Sequence, residues 1–260
     1  MKPRKRFGQH FLTDPRILER IAGALDLSGT ETVIEVGPGR GALTAHLVPK
    51  CARLIAIEID RGLVAALRTR YSADPRVQIV EGDVLDVQFG ALAGGAYSLI
   101  GNVPYYITTP ILFHALQRPR PERSVFLLQR EVAERMVAKP GSKEYGALSV
   151  NIQALAHVDV AFRVAAGAFT PPPKVESAVI RVTPRSAPVV GAHEEAGFSA
   201  FVIAAFSQRR KQLGSIVRSL STRNTSDAAS LVESAGLDPK ARPETLSAAE
   251  FAGLYRVLQA

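Results

Sequence analysis

The chain is expected to fold as a doubly wound α/β sheet followed by a small helical domain. Three observations predict this. Short apolar runs alternate with amphipathic stretches over the first two-thirds of its 260 residues. A glycine-rich turn joins the first apolar run to a helix-like segment. From about residue 194 onward Ala, Leu and Ser dominate with helical spacing. The expected domains are residues 1–186 and 191–260, joined by a linker at about 185–191 that contains Pro188.

The elements follow in order. Thr13-Asp14-Pro15 reads as a helix start, with Thr13 or Asp14 as cap and Pro15 in the first turn, and the helix runs to about Leu25. Residues 32–36, 54–58, 77–80, 98–101 and 125–128 are short, apolar and bounded by Gly, Pro or charge, as buried parallel strands are. Helices are expected at 42–48, 62–71, 111–117 and 131–137, the last placing Val132 and Met136 on one face. Residues 149–164 are apolar enough for either a strand or a buried helix. Thr170-Pro171-Pro172-Pro173-Lys174 is rigid and extended, and 175–182 alternates as a strand.

Composition narrows the function. The formal net charge is +8 and the pI about 9.9, a balance that suits a polyanionic partner. Cys51 is the single cysteine, so neither an intramolecular disulfide nor a cysteine zinc cluster is available, and its apolar surroundings suit a core filler. No metal site is expected. The basic N-terminus is not followed by the apolar stretch of a signal peptide, and no run of 18 apolar residues would span a membrane. The expected setting is the cytoplasm.

The candidate cofactor site begins at Val33-Ile34-Glu35-Val36-Gly37-Pro38-Gly39-Arg40-Gly41, a strand entering a glycine turn that lets a ligand approach the backbone closely. Some 20 residues on, Glu58 ends the second strand, where an acid accepts from ribose hydroxyls in NAD and methyl-donor folds alike. Asp83, in Glu81-Gly82-Asp83, stands where a carboxylate could accept from an adenine amine of the cofactor, whereas Asp60 and Glu81 read as capping or solvated residues. A nicotinamide enzyme would need a hydride-transfer constellation, and no matching His/Arg or Tyr/Lys set is present.

The reactive motif is Asn102-Val103-Pro104-Tyr105, after the fourth strand. The exocyclic amine of adenine is a poor nucleophile because its lone pair is delocalised into the ring. The Asn102 side-chain oxygen and the Val103 carbonyl can both accept its hydrogens and raise electron density on nitrogen. Pro104 fixes the direction of the chain, and Tyr105 offers a face on which the base stacks, worth about 1–3 kcal/mol. A stacked base cannot reach such a pocket, so the target is flipped or unpaired. Phe169 is the candidate for a second apolar wall. Arg209, Arg210 and Lys211, with Arg218 and Arg223, carry five cations with no acid between Gln208 and Asn224, and are expected to contact phosphates from a helical face. Lys2, Arg4, Lys5 and Arg6 form a second basic candidate.

In this order the motifs resemble the small-subunit ribosomal RNA adenine dimethyltransferases of the KsgA/RsmA type. The resemblance extends through Lys5-Arg6-Phe7-Gly8-Gln9-His10-Phe11-Leu12, Leu128-Gln129-Arg130-Glu131-Val132, Tyr145-Gly146-Ala147-Leu148-Ser149-Val150, Ala168-Phe169-Thr170-Pro171-Pro172-Pro173-Lys174-Val175-Glu176-Ser177 and Phe206-Ser207-Gln208-Arg209-Arg210-Lys211. It implies a Rossmann-like methyltransferase sheet that binds S-adenosylmethionine (AdoMet), with the helical domain serving the RNA. The implied reaction is N6,N6-dimethylation of two adjacent adenosines in a hairpin near the 3′ end of 16S rRNA. The implied partner is an immature small ribosomal subunit, met by a monomer with a role in ribosome biogenesis. It also implies cofactor contacts at His10, Leu12, Gly37, Gly39, Glu58, Asp83 and Asn102. This chain departs from the family at His10, where Asn is usual, at Val103, where Leu is usual, and at Tyr106, where Asn is usual. Two other readings compete: a relative acting on large-subunit rRNA, which shares the Asn-x-Pro-Tyr motif, and an assembly factor that keeps the fold without catalysis.

Overall fold

The computed structural model describes residues 11–103, 107–221 and 224–259. Residues 1–10, Pro104, Tyr105, Tyr106, Thr222, Arg223 and Ala260 lie outside it. The chain forms two compact units. One comprises Met1–Ala133 and Val158–Pro184, the other Glu134–His157 and Arg185–Ala260.

The first unit is built on a seven-stranded sheet. Its strands are β2 (Thr32–Val36), β3 (Arg53–Glu58), β4 (Val77–Glu81), β5 (Ser98–Asn102), β6 (Arg123–Gln129), β7 (Ala156–Val164) and β9 (Ser177–Pro184), in the spatial order β4-β3-β2-β5-β6-β9-β7. Strands β2 to β6 pair in parallel, and β9 runs antiparallel to β6. The five expected parallel strands are thus all present, and the strand expected at 175–182 is β9, each within a residue or two of its expected bounds. A separate two-stranded sheet pairs β1 (Phe11–Leu12) antiparallel with β8 (Phe169–Thr170).

Strand alternation divides the side chains between the two sheet faces. Val33, Leu54, Ile100, Val125, Leu127 and Val179 pack in one core with Leu18, Ile21 and Ala22 of α1 (Pro15–Gly23) and with Leu43 and Leu47 of α2 (Ala42–Leu47). Asp14 caps α1 by accepting from the Arg16 and Ile17 amides at 2.9 and 3.4 Å, which decides the choice left open between Thr13 and Asp14. Cys51 is buried in this core, its Sγ donates to the Leu47 carbonyl, and burial pushes the thiol up to about 11. Helix α3 (Arg61–Arg70) is capped by Asp60, which accepts from the Gly62 and Leu63 amides. The short α4 (Phe89–Ala93), between Asp83 and β5, was not expected from the sequence. α5 (Thr108–Ala115) begins a few residues earlier than its apolar spacing indicates, and α6 spans Arg130–Val137.

The second unit corrects the expected boundary. Residues 134–157 fall within the expected first domain of 1–186, but Tyr145, Val150 and Ala154 are buried in a core with Phe198, Val202, Leu213, Ile216, Val232 and Phe251. The ambiguous stretch after residue 149 is both things at once, α7 (Ala147–Leu155) followed directly by β7. The core of this unit is closed by α8 (Glu195–Ser207), α9 (Leu213–Leu220), α10 (Thr225–Ser234) and α11 (Ala248–Gln259). The Tyr145 hydroxyl donates to the Leu246 carbonyl at 2.8 Å, which satisfies the one polar atom of a fully buried ring. Phe206 stacks on Phe251 with centroids 5.6 Å apart.

Strands β2 and β5 approach closely at Gly101. A Cβ at Gly101 would lie 2.9 Å from the Val36 carbonyl oxygen and 3.1 Å from its Cβ. Gly101→Ala therefore forces these strands apart and should cost about 1–3 kcal/mol, seen as a lower urea midpoint with an unchanged m-value.

Candidate active site

The order of the parallel strands reverses at β2, which has β3 on one side and β5 on the other. In such sheets the helices on either side of the reversal leave a crevice beyond the carboxyl ends of the strands, and ligands bind there. The expected residues fall at these ends: the glycine turn after β2, Glu58 ending β3, Asp83 just past β4 and Asn102 ending β5.

One cavity of about 260 Å³ gathers them. Leu12, Gly37, Gly39, Glu58, Asp83 and Asn102 all line it, as does Val103. His10, Pro104 and Tyr105, and the neighbouring Tyr106, lie outside the described residues. The structure therefore brings together every expected cofactor residue that it describes.

The turn has the backbone that its glycines permit. Gly37, Gly39 and Gly41 have φ of 66°, 57° and 76°, a region that costs residues with a Cβ energy. The Gly37 amide bonds back to the Ile57 carbonyl at 3.0 Å, and the Gly41 amide to Pro38 at 2.8 Å. The chain thus turns sharply over the strand ends before entering α2.

Glu58 is 6% exposed. One carboxylate oxygen accepts from the Gly39 amide at 3.0 Å, and the other from the Ile59 and Asp60 amides at 3.0 Å each. Burial raises its pKa above the ordinary carboxylate range, against the pull of those three amides. A carboxylate offers about four acceptor sites, so a ligand hydroxyl can still be received. Asp83 is fixed by the Leu85 amide, which donates to its Oδ1 at 3.0 Å.

Glu35 lies within the glycine-turn motif, and its sequence position alone assigns it no task. It is 1% exposed, lines the cavity and accepts from the Thr44 hydroxyl of α2 at 2.7 Å. Burial pushes its carboxyl up to about 8, and the nearby Glu58 carboxylate adds to the shift. The signal was available: a lone acid inside the apolar run Val33-Ile34-Glu35-Val36.

Two expectations about the substrate side change. Phe169 is 3% exposed and packs in the core with Leu12 and Leu18, and it does not line the cavity. In this structure Phe169 is therefore a core residue and not a wall of this cavity. Arg209, Arg210 and Lys211 lie in the turn between α8 and α9 rather than on a helical face. Arg209 donates to the Ser142 and Lys143 carbonyls at 3.4 and 3.1 Å and faces Glu244 at 3.9 Å, so it ties down its own unit. Arg210, Lys211 and, on α9, Arg218 are exposed.

The family model for ribosomal RNA adenine dimethylase matches residues 1–260. The chain belongs to the ribosomal RNA adenine dimethylase family. It is 43% identical to the ribosomal RNA small subunit methyltransferase A of Moorella thermoacetica, covering 99% of this chain and 93% of that protein. It is also 43% identical to the protein of that name from Thiobacillus denitrificans, covering 98% of each. Among solved structures, a dimethyladenosine transferase from Plasmodium falciparum is similar with a TM-score of 0.81 at 26% identity, covering 94% of this chain and 96% of that one. The 23S rRNA methyltransferase ErmE is similar with a TM-score of 0.73 at 25% identity, covering 96% and 100%. As a member of the rRNA adenine dimethylase family, the chain is a methyltransferase whose reaction class is the dimethylation of adenine in ribosomal RNA.

Glu35 gives the family member a pH signature. The unfolded carboxyl ionises near 4.5, whereas the folded one keeps its proton to about 8. Between those values the unfolded chain binds fewer protons, so the stability contributed by this group falls as pH rises from about 4.5 to about 8. Glu35→Gln should remove that fall and leave the ligand-free protein more stable at pH 8, with little change at pH 4.5. Urea denaturation at the two pH values measures it.

Proposed function

We propose that this chain transfers methyl groups from AdoMet, held in the cavity at the ends of β2 to β5, to the N6 amines of two adjacent adenosines of 16S rRNA. The targets lie in a hairpin near the 3′ end, within an immature small ribosomal subunit in the cytoplasm, and the protein acts as a monomer. The observation that carries the reading is the convergence of Leu12, Gly37, Gly39, Glu58 and Asp83 with Asn102 and Val103 on one cavity.

The residues fit the cofactor. The bare glycine turn admits a ligand against the backbone, Glu58 can receive ribose hydroxyls, and Asp83 can receive an adenine amine. Bound AdoMet supplies a methyl group on a positively charged sulfur. The protein's own work is to hold the target amine in line with it. Asn102 ends a buried strand, and Val103, 1% exposed, follows it, so the carboxamide and the carbonyl are carried by a rigid element. Both accept hydrogens of the amine as its nitrogen becomes tetrahedral. Pro104 and Tyr105 complete the motif, with Tyr105 as the stacking face. Catalysis then rests on orientation and on these acceptors, with no general base needed before the methyl is transferred.

The small subunit is favoured over the large because the small-subunit methyltransferases match at 43% identity against 25% for ErmE. The deciding experiment incubates the protein and labelled AdoMet with undermethylated small subunits, and separately with large subunits, then identifies the nucleosides. Dimethyladenosine in the small subunit alone is expected. A folded protein that produces none would overturn the reading.

Two variants test the parts. Asn102→Ala should lower kcat by about a hundredfold or more, by analogy with loss of one preorganised hydrogen-bond partner, with the fold retained by circular dichroism. Arg210→Gln with Lys211→Gln should weaken binding to small subunits and reduce the steepness of its salt dependence by about two phosphate contacts. An unchanged slope would remove this turn from the RNA interface.

A further inference from the structure

Arg40 lies inside the glycine turn, between Gly39 and Gly41, and its guanidinium carbon sits 4.5 Å from the centre of the Phe11 ring. On the same ring, Phe11 Cε1 would be 3.2 Å from a Cβ placed at Gly39. Phe11 therefore rests on the bare backbone of Gly39 with a cation over its ring. Phe11, Leu12, Gly39 and Arg40 all line the cavity. The ring is part of the cavity wall as well as a partner of the turn.

Among the described residues, the strand that carries Phe11 is held at few points. Among the described residues β1 covers two positions and pairs with the two residues of β8, Phe11 opposite Thr170 and Leu12 opposite Phe169. A two-stranded ribbon of this length is marginal without side-chain anchors. Leu12 supplies one anchor by burial in the core. Phe11 is half-buried, and its contacts with Gly39 and Arg40 supply another. The turn is itself braced: Gly41 bonds to Pro38, and Arg70 of α3 donates to the Arg40 and Gly41 carbonyls at 3.4 Å each.

We propose that Arg40 is a positioning residue that holds Phe11, and with it β1, against the glycine turn, and so sets how long the cavity retains its methyl-donor ligand or the demethylated product. This rests on the reading that the cavity takes AdoMet. The attraction is that of a cation for the negative face of an aromatic ring, which at a partly exposed site amounts to roughly a two- to fivefold change in an equilibrium. Lysine can make the same attraction and leucine cannot.

Two measurements on the full chain test it. The first is hydrogen exchange of the ligand-free protein. Arg40→Leu should speed exchange of the peptide covering Phe11 and Leu12, and Arg40→Lys should restore much of the protection. The second is calorimetric titration with S-adenosylhomocysteine. Arg40→Leu and Phe11→Leu should each weaken binding by roughly two- to fivefold, Arg40→Lys should bind nearly as the parent does, and the Arg40→Leu/Phe11→Leu double variant should be no weaker than the worse single one. Unchanged exchange and affinity in Arg40→Leu would overturn the proposal, as would strictly additive losses in the double variant. Weakened RNA binding with unaltered ligand affinity would also overturn it and make Arg40 a phosphate contact. A parent protein that binds no S-adenosylhomocysteine would sink the reading of the cavity itself, a result distinct from any failure among the variants.

Discussion

The site depends on how closely a chain can turn over the end of β2. The strand must leave the sheet where its neighbours diverge, reverse within a few residues and start α2, all without placing a side chain between the backbone and the crevice. Gly37, Gly39 and Gly41 meet that demand with positive φ at each of the three positions. Gly101 meets a related one from the next strand, where the Val36 carbonyl leaves no space for a Cβ. With the backbone that close, the carboxylates of Glu58 and Asp83 and the carboxamide of Asn102 converge on a single space. Larger residues at these positions would fill the crevice or push its walls apart.

Much of this was legible because parallel strands announce themselves. β2 matches its expected bounds, being a short apolar run closed by a glycine. The acids at the ends of β3 and β4 could be placed by counting from that glycine, since each strand end sits at the same level of the sheet. What was not legible depended on contacts far away in sequence. β1 and β8 are two residues each and carry no period, so nothing local shows that Phe169 turns inward beside Leu12. The turn at 208–211 has neither glycine nor proline, and its polar run is equally compatible with a helix; only the carbonyls of Ser142 and Lys143 reveal what Arg209 does. The break between α7 and β7 likewise lacks a breaker residue, and burial of Val150 and Ala154 in the second unit decides it.

Charge in the crevice is unevenly shared. Glu35, Glu58 and Asp83 face it from three different strand ends, while Arg40 is the one cation among its described lining residues. Such a wall suits a ligand that carries positive charge on sulfur and nitrogen, and it suits less well the neutral thioether left behind after transfer. Glu35, held toward its neutral form by burial, tempers the repulsion among the acids when no ligand is present.

The three amides gathered by Glu58 carry a consequence for recognition. Gly39 belongs to the turn, while Ile59 and Asp60 belong to the start of the next connection, and a single carboxylate ties the two together. A sugar that approaches this acid meets an acceptor already in use. It must either share the remaining lone pairs or draw the oxygen away from Gly39, an exchange in which one hydrogen bond replaces another for a net change of about 1 kcal/mol or less. At this acid, therefore, a sugar hydroxyl would be selected more by shape than by strength, and where it took the oxygen shared with Gly39 it would loosen the turn as it filled the crevice.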